Sequence, residues 1–218
     1  MLYFLTGEIQ TGKTRWLQAH IEELEREGLS VYGVLSPGIW RKREAGELAQ
    51  NRASCPGEFE KLGINCILYP SREQFVFAQR RDLAQKAGEC DTGSQSAKAQ
   101  LGWAIADETI ARVNSHFASI AHLAQECEKT SPANAEKFKT QKETPNSNVA
   151  NKGLLVIDEL GRLELLRGEG FVQAMELLKL GPTSIYQDAI VIVRDELIEI
   201  AEEKFTPAWG GSKRIYPK

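Results

Sequence analysis

Gly7-Glu8-Ile9-Gln10-Thr11-Gly12-Lys13-Thr14 is the stretch from which the rest of the chain is read. It fits Gly-x-x-x-x-Gly-Lys-[Ser/Thr], the phosphate-cradling pattern known as the P-loop or Walker A. Gly7 and Gly12 allow backbone angles that a Cβ disfavours, so successive N–H groups can curl around an anion. A helix starting near Lys13 adds the positive end of its dipole to that ring of donors. Lys13 is placed to reach the β- and γ-phosphates, and the Thr14 hydroxyl to ligate Mg²⁺. All eight residues are therefore expected to line a nucleotide's phosphates.

The flanks suit that reading. Leu2-Tyr3-Phe4-Leu5 is apolar and β-prone, and it ends just before Gly7. Trp16, Leu17, Ile21 and Leu24 recur at helical spacing among Glu22, Glu23 and Arg26, and Gly28 reads as a stop. Strand, loop and helix follow one another as the motif requires.

A second stretch answers the first. Leu154-Leu155-Val156-Ile157 is apolar throughout, as a central parallel strand must be, and it ends in Asp158-Glu159. This is the Walker B form. Asp158 is the expected second Mg²⁺ ligand. Glu159, one residue on, is expected to orient and polarise an attacking water as a general base. Downstream, Ala189-Ile190-Val191-Ile192-Val193 reads as another buried parallel strand with Arg194 at its tip. Arg194 is a candidate charge stabiliser for the γ-phosphate; pairing with Asp195 or Glu196 is the plainer alternative.

Between these landmarks the chain reads as follows. Residues 29–35 suggest a second strand stopped by Ser36-Pro37-Gly38, and Arg41, Lys42 and Arg43 suit a solvated turn or phosphate contacts. Residues 63–69 and 74–78 suggest an antiparallel hairpin around Pro70-Ser71-Arg72-Glu73. Residues 88–100 suggest a flexible surface loop. Ile110, Val113, Phe117, Ile120 and Ala124 mark one amphipathic helix over 107–127, with His116 and His122 lacking any ligand-like partners. Residues 129–152 are polar and poor in large apolar groups, so a mobile insertion is expected. Residues 171–180 and 195–205 suggest two further helices, and 209–216 a short edge strand.

The 218 residues carry a net charge of −3, which gives no field to attract nucleic acid or anionic membrane. No apolar run is long enough to span a bilayer, and the first strand leaves no room for a signal peptide. Cys55, Cys66, Cys90 and Cys127 lie far apart, which fits reduced cytoplasmic thiols better than zinc or a disulfide framework.

Four stretches together resemble the small P-loop nucleoside-triphosphatase family first described from thermophiles: the octapeptide, Gly33-Val34-Leu35-Ser36-Pro37, the late Val193-Arg194-Asp195, and Asp158-Glu159-Leu160-Gly161-Arg162-Leu163-Glu164-Leu165. The last is the most specific. Gln10 stands where family loops often have a further Gly, and the Glu8 side chain must point away from the phosphates. The resemblance implies one P-loop NTPase domain over 1–218: an α/β, three-layer fold with a mostly parallel central sheet and an antiparallel hairpin addition. It also implies a Mg²⁺-dependent hydrolase acting on ATP, GTP and other nucleoside triphosphates. A guanine-specific switch would need a later Asn-Lys-x-Asp, and the only Asn-Lys, Asn151-Lys152, precedes the second motif. A small-molecule kinase using the same loop, or a slow nucleotide-dependent adaptor, remains the alternative. Arg162, Arg167 and Arg194 are too scattered for a kinase lid, and Glu159 suits water activation.

Overall fold

Strand β1 (Leu2–Leu5) leads into helix α1 (Lys13–Arg26), followed by β2 (Val31–Leu35) and β3 (Gly38–Lys42). The computed structural model describes residues 1–8, 11–43, 58–89, 91–130 and 153–217. Next come β4 (Phe59–Tyr69), β5 (Gln74–Arg80), α2 (Arg81–Ala87), the one-turn helix α3 (Gln95–Lys98), β6 (Trp103–Ile105) and the long helix α4 (Asp107–Thr130). Strand β7 (Leu154–Leu160) then enters a π-helical turn (Leu163–Arg167) and helix α5 (Val172–Leu180). Strand β8 (Asp188–Val193), a 3₁₀ turn (Asp195–Leu197), helix α6 (Ile198–Trp209) and β9 (Ser212–Ile215) complete the order.

Among the described residues the strands make one nine-stranded mixed sheet in the order β6-β5-β4-β2-β7-β8-β1-β9, with β3 joined to β4 off that path. From β2 to β9 neighbours are parallel; from β2 through β4 to β3, β5 and β6 they are antiparallel. The hairpin addition is thus part of a wider antiparallel wing.

Side-chain alternation along each strand divides the core between the two faces. Leu155 and Ile157 of β7 and Leu2 and Phe4 of β1 pack with α4, α5 and α6. Leu154 and Val156 of β7 and Leu5 of β1 pack instead with Leu17 and Ile21 of α1. A strand covered on both faces has to be apolar at every position, as β7 is until Asp158. On α4 the expected stripe of Ile110, Val113, Phe117, Ile120 and Ala124 is buried along its length. Burying Phe117 alone contributes about 1.5–3 kcal/mol. Trp209 closes the far end, its Nε1–H donating to the Leu178 carbonyl at 2.8 Å.

Two expectations change. Arg41 and Lys42 lie on a strand rather than a turn, because β3 pairs with β4 and Arg41 is neutralised by Glu60 across the ribbon. The 88–100 stretch contains packed structure: Ser94 caps α3 by accepting the Ala97 N–H, and buried Ser96 exchanges hydrogen bonds with the Ile105 backbone. Polar Ser residues read as loop-formers are here satisfying backbone groups. Of the expected insertion 129–152, Lys129 and Thr130 finish α4, and the rest lies outside the described residues.

One feature of the topology governs the site. β4 pairs with β2 through Gly33↔Tyr69 to Leu35↔Ile67, and then with β3 through Gly38↔Ile64 to Lys42↔Phe59. β3 therefore continues the line of β2, and the β3–β4 ribbon rises past the carboxyl ends of the parallel strands. Open α/β sheets bind ligands in the crevice at those ends.

Candidate functional site

The loop after β1 has the backbone the octapeptide predicts at both glycines: Gly7 has φ 133° and Gly12 φ 86°. Gly12 sits at the N-cap of α1 and makes no side-chain cap bond, so the first N–H groups of that helix stay available to an anion. Thr11 ties the loop by donating its hydroxyl to the Glu8 carbonyl at 2.9 Å. The Glu8 side chain is exposed, and Ile9 and Gln10 lie outside the described residues. Lys13 is buried, 8% exposed, with Nζ donating to the carbonyls of Gly7 at 2.7 Å and Glu8 at 2.6 Å. Its charge is thus held in the mouth of the loop by neutral acceptors.

Across the sheet, Asp158 is 2% exposed at the end of β7. The Thr14 hydroxyl donates to its Oδ1 at 3.4 Å, and the Ser36 N–H to its Oδ2 at 2.9 Å. The Ser36 hydroxyl also donates to the Asp158 carbonyl. Burial pushes the Asp158 carboxyl up to about 7, the Ser36 N–H and Thr14 hydroxyl pull it back, and nearby Glu159 adds to the rise. A buried carboxylate beside a hydroxyl, short of countercharge, fits a divalent cation. Two hard oxygens suit Mg²⁺, which takes few protein ligands and keeps water and phosphate oxygens for the rest. Among the described residues no group of three or more His, Cys, Asp or Glu gathers into a cage of the zinc kind.

Strand β8 runs between β1 and β7, and so delivers Arg194 between the loop and the acid pair. Its Nε–H donates to Glu159 Oε1 at 2.7 Å. The alternative partner Asp195 is occupied elsewhere, accepting the Thr6 hydroxyl at 2.6 Å and fastening the ends of β1 and β8 together. The structure thus gathers Lys13, Thr14, Asp158, Glu159 and Arg194 at one sheet edge. His116 and His122 stand apart from it: the first bonds backbone carbonyls, the second pairs with Glu126.

The places of three side chains were not read from the sequence. Ser36, read as a strand stop and as part of the stretch 33–37 that carries the resemblance, holds both the side chain and the backbone of Asp158. Glu164 is buried and accepts the N–H of Gly161 at 2.8 Å and of Phe171 at 3.1 Å, clamping the π-helical turn after β7. Its signal was present: an acid flanked by buried Leu163 and Leu165 has to find donors. Lys61 on β4 has no local signal; the ribbon sets it opposite Trp40 of β3, with its ammonium over the Trp103 ring. No protein-family model, curated protein or solved structure matches the chain.

Proposed function

We propose that the chain is a Mg²⁺-dependent P-loop nucleoside-triphosphatase that cleaves the terminal phosphate of ATP, GTP and related nucleotides, acting in the cytoplasm. The sheet with helices on both faces is read as the three-layer P-loop fold, and the chain as a relative of the thermophile-described family. The observation that carries this reading is the approach of Thr14 Oγ1 to Asp158 Oδ1 at 3.4 Å across 144 residues. A P-loop hydroxyl and a strand-end carboxylate meeting in this way make the metal-binding half of a Mg²⁺–triphosphate site.

In this reading the amides of the loop and Lys13 bind the phosphates, and Lys13 exchanges its two carbonyl acceptors for phosphate oxygens. Thr14 and Asp158 hold Mg²⁺, which when bound neutralises phosphate charge. Glu159 accepts a proton from the attacking water. Arg194 stabilises the charge on the transferred phosphoryl, a contribution that in related chemistry reaches about 10³–10⁵ in rate when the arginine is well placed. Electrostatic stabilisation and positioning supply most of such catalysis.

The test is phosphate release from ATP, GTP, CTP and UTP with Mg²⁺, with and without small hydroxyl and phosphate acceptors. Release from all four without an acceptor is the expected result. Strict acceptor dependence would make the chain a kinase, and failure to bind any of the four would overturn the nucleotide reading.

A further inference from the structure

One hydrogen bond joins the strand tips that carry the Gly7-to-Thr14 loop and Arg194. Thr6, the residue before Gly7, is buried and donates its hydroxyl to Asp195 Oδ1 at 2.6 Å. Asp195 is the residue after Arg194. Strands β1 and β8 pair in parallel from Leu2↔Ala189 to Leu5↔Ile192, so Thr6 comes level with Val193. The bond therefore crosses from β1 to β8 just beyond the end of their ladder. On its other side the Thr6 N–H donates to the Ile215 carbonyl of β9 at 3.0 Å, which seats Thr6 between both neighbouring strands.

Each end of this bond lies one residue from a member of the candidate site. Thr6 precedes Gly7, whose carbonyl accepts Lys13 Nζ at 2.7 Å. Asp195 follows Arg194, whose backbone is still extended, with φ −73° and ψ 150°. The chain turns at once after it, the Leu197 N–H donating to the Arg194 carbonyl at 2.9 Å. Arg194 thus leaves the sheet at a corner, and the Asp195 carboxylate pins that corner to the base of the loop. The pair with Glu159 orients the guanidinium, while the Thr6 bond sets where its backbone stands relative to the loop. Asp195 is exposed, so losing the bond strands no buried acceptor and costs the fold little. A catalytic group displaced by about 1 Å can lose roughly 10²-fold in rate, so a bond of small weight in the fold can weigh heavily in the reaction.

We propose that Thr6 and Asp195 are positioning residues for the nucleoside-triphosphatase reaction. Their hydrogen bond fixes Arg194 relative to the loop, so that the guanidinium meets the terminal phosphate of a nucleotide whose phosphates fill the loop. The proposal rests on the function inferred above. Neither residue touches the nucleotide; both act through Arg194. Two consequences follow from that route. The effect of breaking the bond falls on kcat rather than on nucleotide affinity, and it vanishes once Arg194 is gone.

The test uses the full chain as wild type, Thr6→Val, Thr6→Ser, Arg194→Ala and the Thr6→Val/Arg194→Ala double variant. Steady-state phosphate release from ATP gives kcat and KM, and calorimetry gives Mg·ADP affinity. Thr6→Val keeps the branched shape and removes the donor. It is expected to keep Mg·ADP affinity within about twofold and to lose about tenfold in kcat. Thr6→Ser restores the hydroxyl and should return kcat to within about twofold of wild type. In the Arg194→Ala background, Thr6→Val should cost nothing further. Asp195→Ala breaks the same bond from the exposed side and takes the place of Thr6→Val should that variant fail to fold. A wild-type kcat in either variant, an equal loss in Thr6→Ser and Thr6→Val, or the same loss with and without Arg194 would overturn the proposal. Wild type that fails to bind Mg·ADP and to release phosphate would overturn the nucleoside-triphosphatase reading itself, so the two failures are told apart.

Discussion

Arg194 Nε–H donates to Glu159 Oε1 at 2.7 Å, joining the tip of β8 to the tip of β7 across the mouth of the site. Both side chains are more than a third exposed, 38% and 34%, so solvent screens the pair and its net stabilisation is at most about 1 kcal/mol. A weak pair can open without cost to the fold. It holds the proposed general base and the proposed charge stabiliser in register while leaving both free to turn.

Replacing Glu159 by Gln removes the proposed base and keeps the size and the hydrogen-bonding edge toward Arg194. Nucleotide affinity should be retained, while phosphate release falls by about 10²–10⁴, the usual contribution of a positioned general base. Calorimetric binding of ATP beside a phosphate-release assay separates the two quantities. An equally active variant would take Glu159 out of the mechanism.

Lys13 is the simplest residue to test for binding. Its two carbonyl acceptors are neutral, and a phosphate oxygen offers a stronger, charge-assisted bond. Lys13→Ala should weaken ATP binding by about 1.5–3 kcal/mol, between one and two orders of magnitude in Kd. Titration of ATP in the presence of Mg²⁺ measures it. Undiminished affinity would contradict a phosphate-binding role for this residue.

What was legible in advance, and what was not, follows from range. The octapeptide, the apolar run before Asp158 and the Ile110-to-Ala124 stripe are local patterns, and the sequence carries them whole. The tip of β8 was legible as a place, since a buried strand had to end at Arg194; the partner of Arg194 was not, because Asp195 and Glu196 are nearer in sequence than Glu159. Strand β6, Trp103–Ile105, is too short to show a period of two. Lys61 was invisible for a different reason. Its place depends on β3 continuing the line of β2 along β4, a relation between three strands that no window of sequence contains.

Glu164 offers a test of the fold next to the site. Its carboxylate accepts two N–H groups, from Gly161 and Phe171, and the buried Oε1 would lie 2.0 Å from a Cβ added at Gly170. Glu164→Ala leaves both donors without a partner, at about 1–3 kcal/mol each. At this chain length that corresponds to a fall in melting temperature of roughly 4–24 °C. Glu164→Gln keeps one acceptor oxygen and should fall between. Scanning calorimetry decides it: an unchanged Tm in Glu164→Ala would show that the turn after β7 stands without the clamp.

His116 predicts an acid limit to stability. From α4 its Nε2–H is shared between the carbonyls of Gly33 at 3.2 Å and Tyr69 at 3.0 Å, bridging β2 and β4. Burial holds the ring below the ordinary histidine value of 6.5, while the two carbonyls and Glu73 pull the other way. The unfolded chain therefore takes up this proton at a higher pH than the folded chain does. As pH falls below about 6.5 the unfolded state binds more protons, and stability is lost until the lower folded value is passed; above 6.5 the term is flat. One proton limits the slope to about 1.4 kcal/mol per pH unit. His116→Gln keeps an N–H donor and cannot titrate, so its urea midpoint should fall less than that of wild type between pH 7 and pH 5. Carboxylates titrating in both proteins cancel in that difference, and parallel curves would exclude His116 as the source of acid sensitivity.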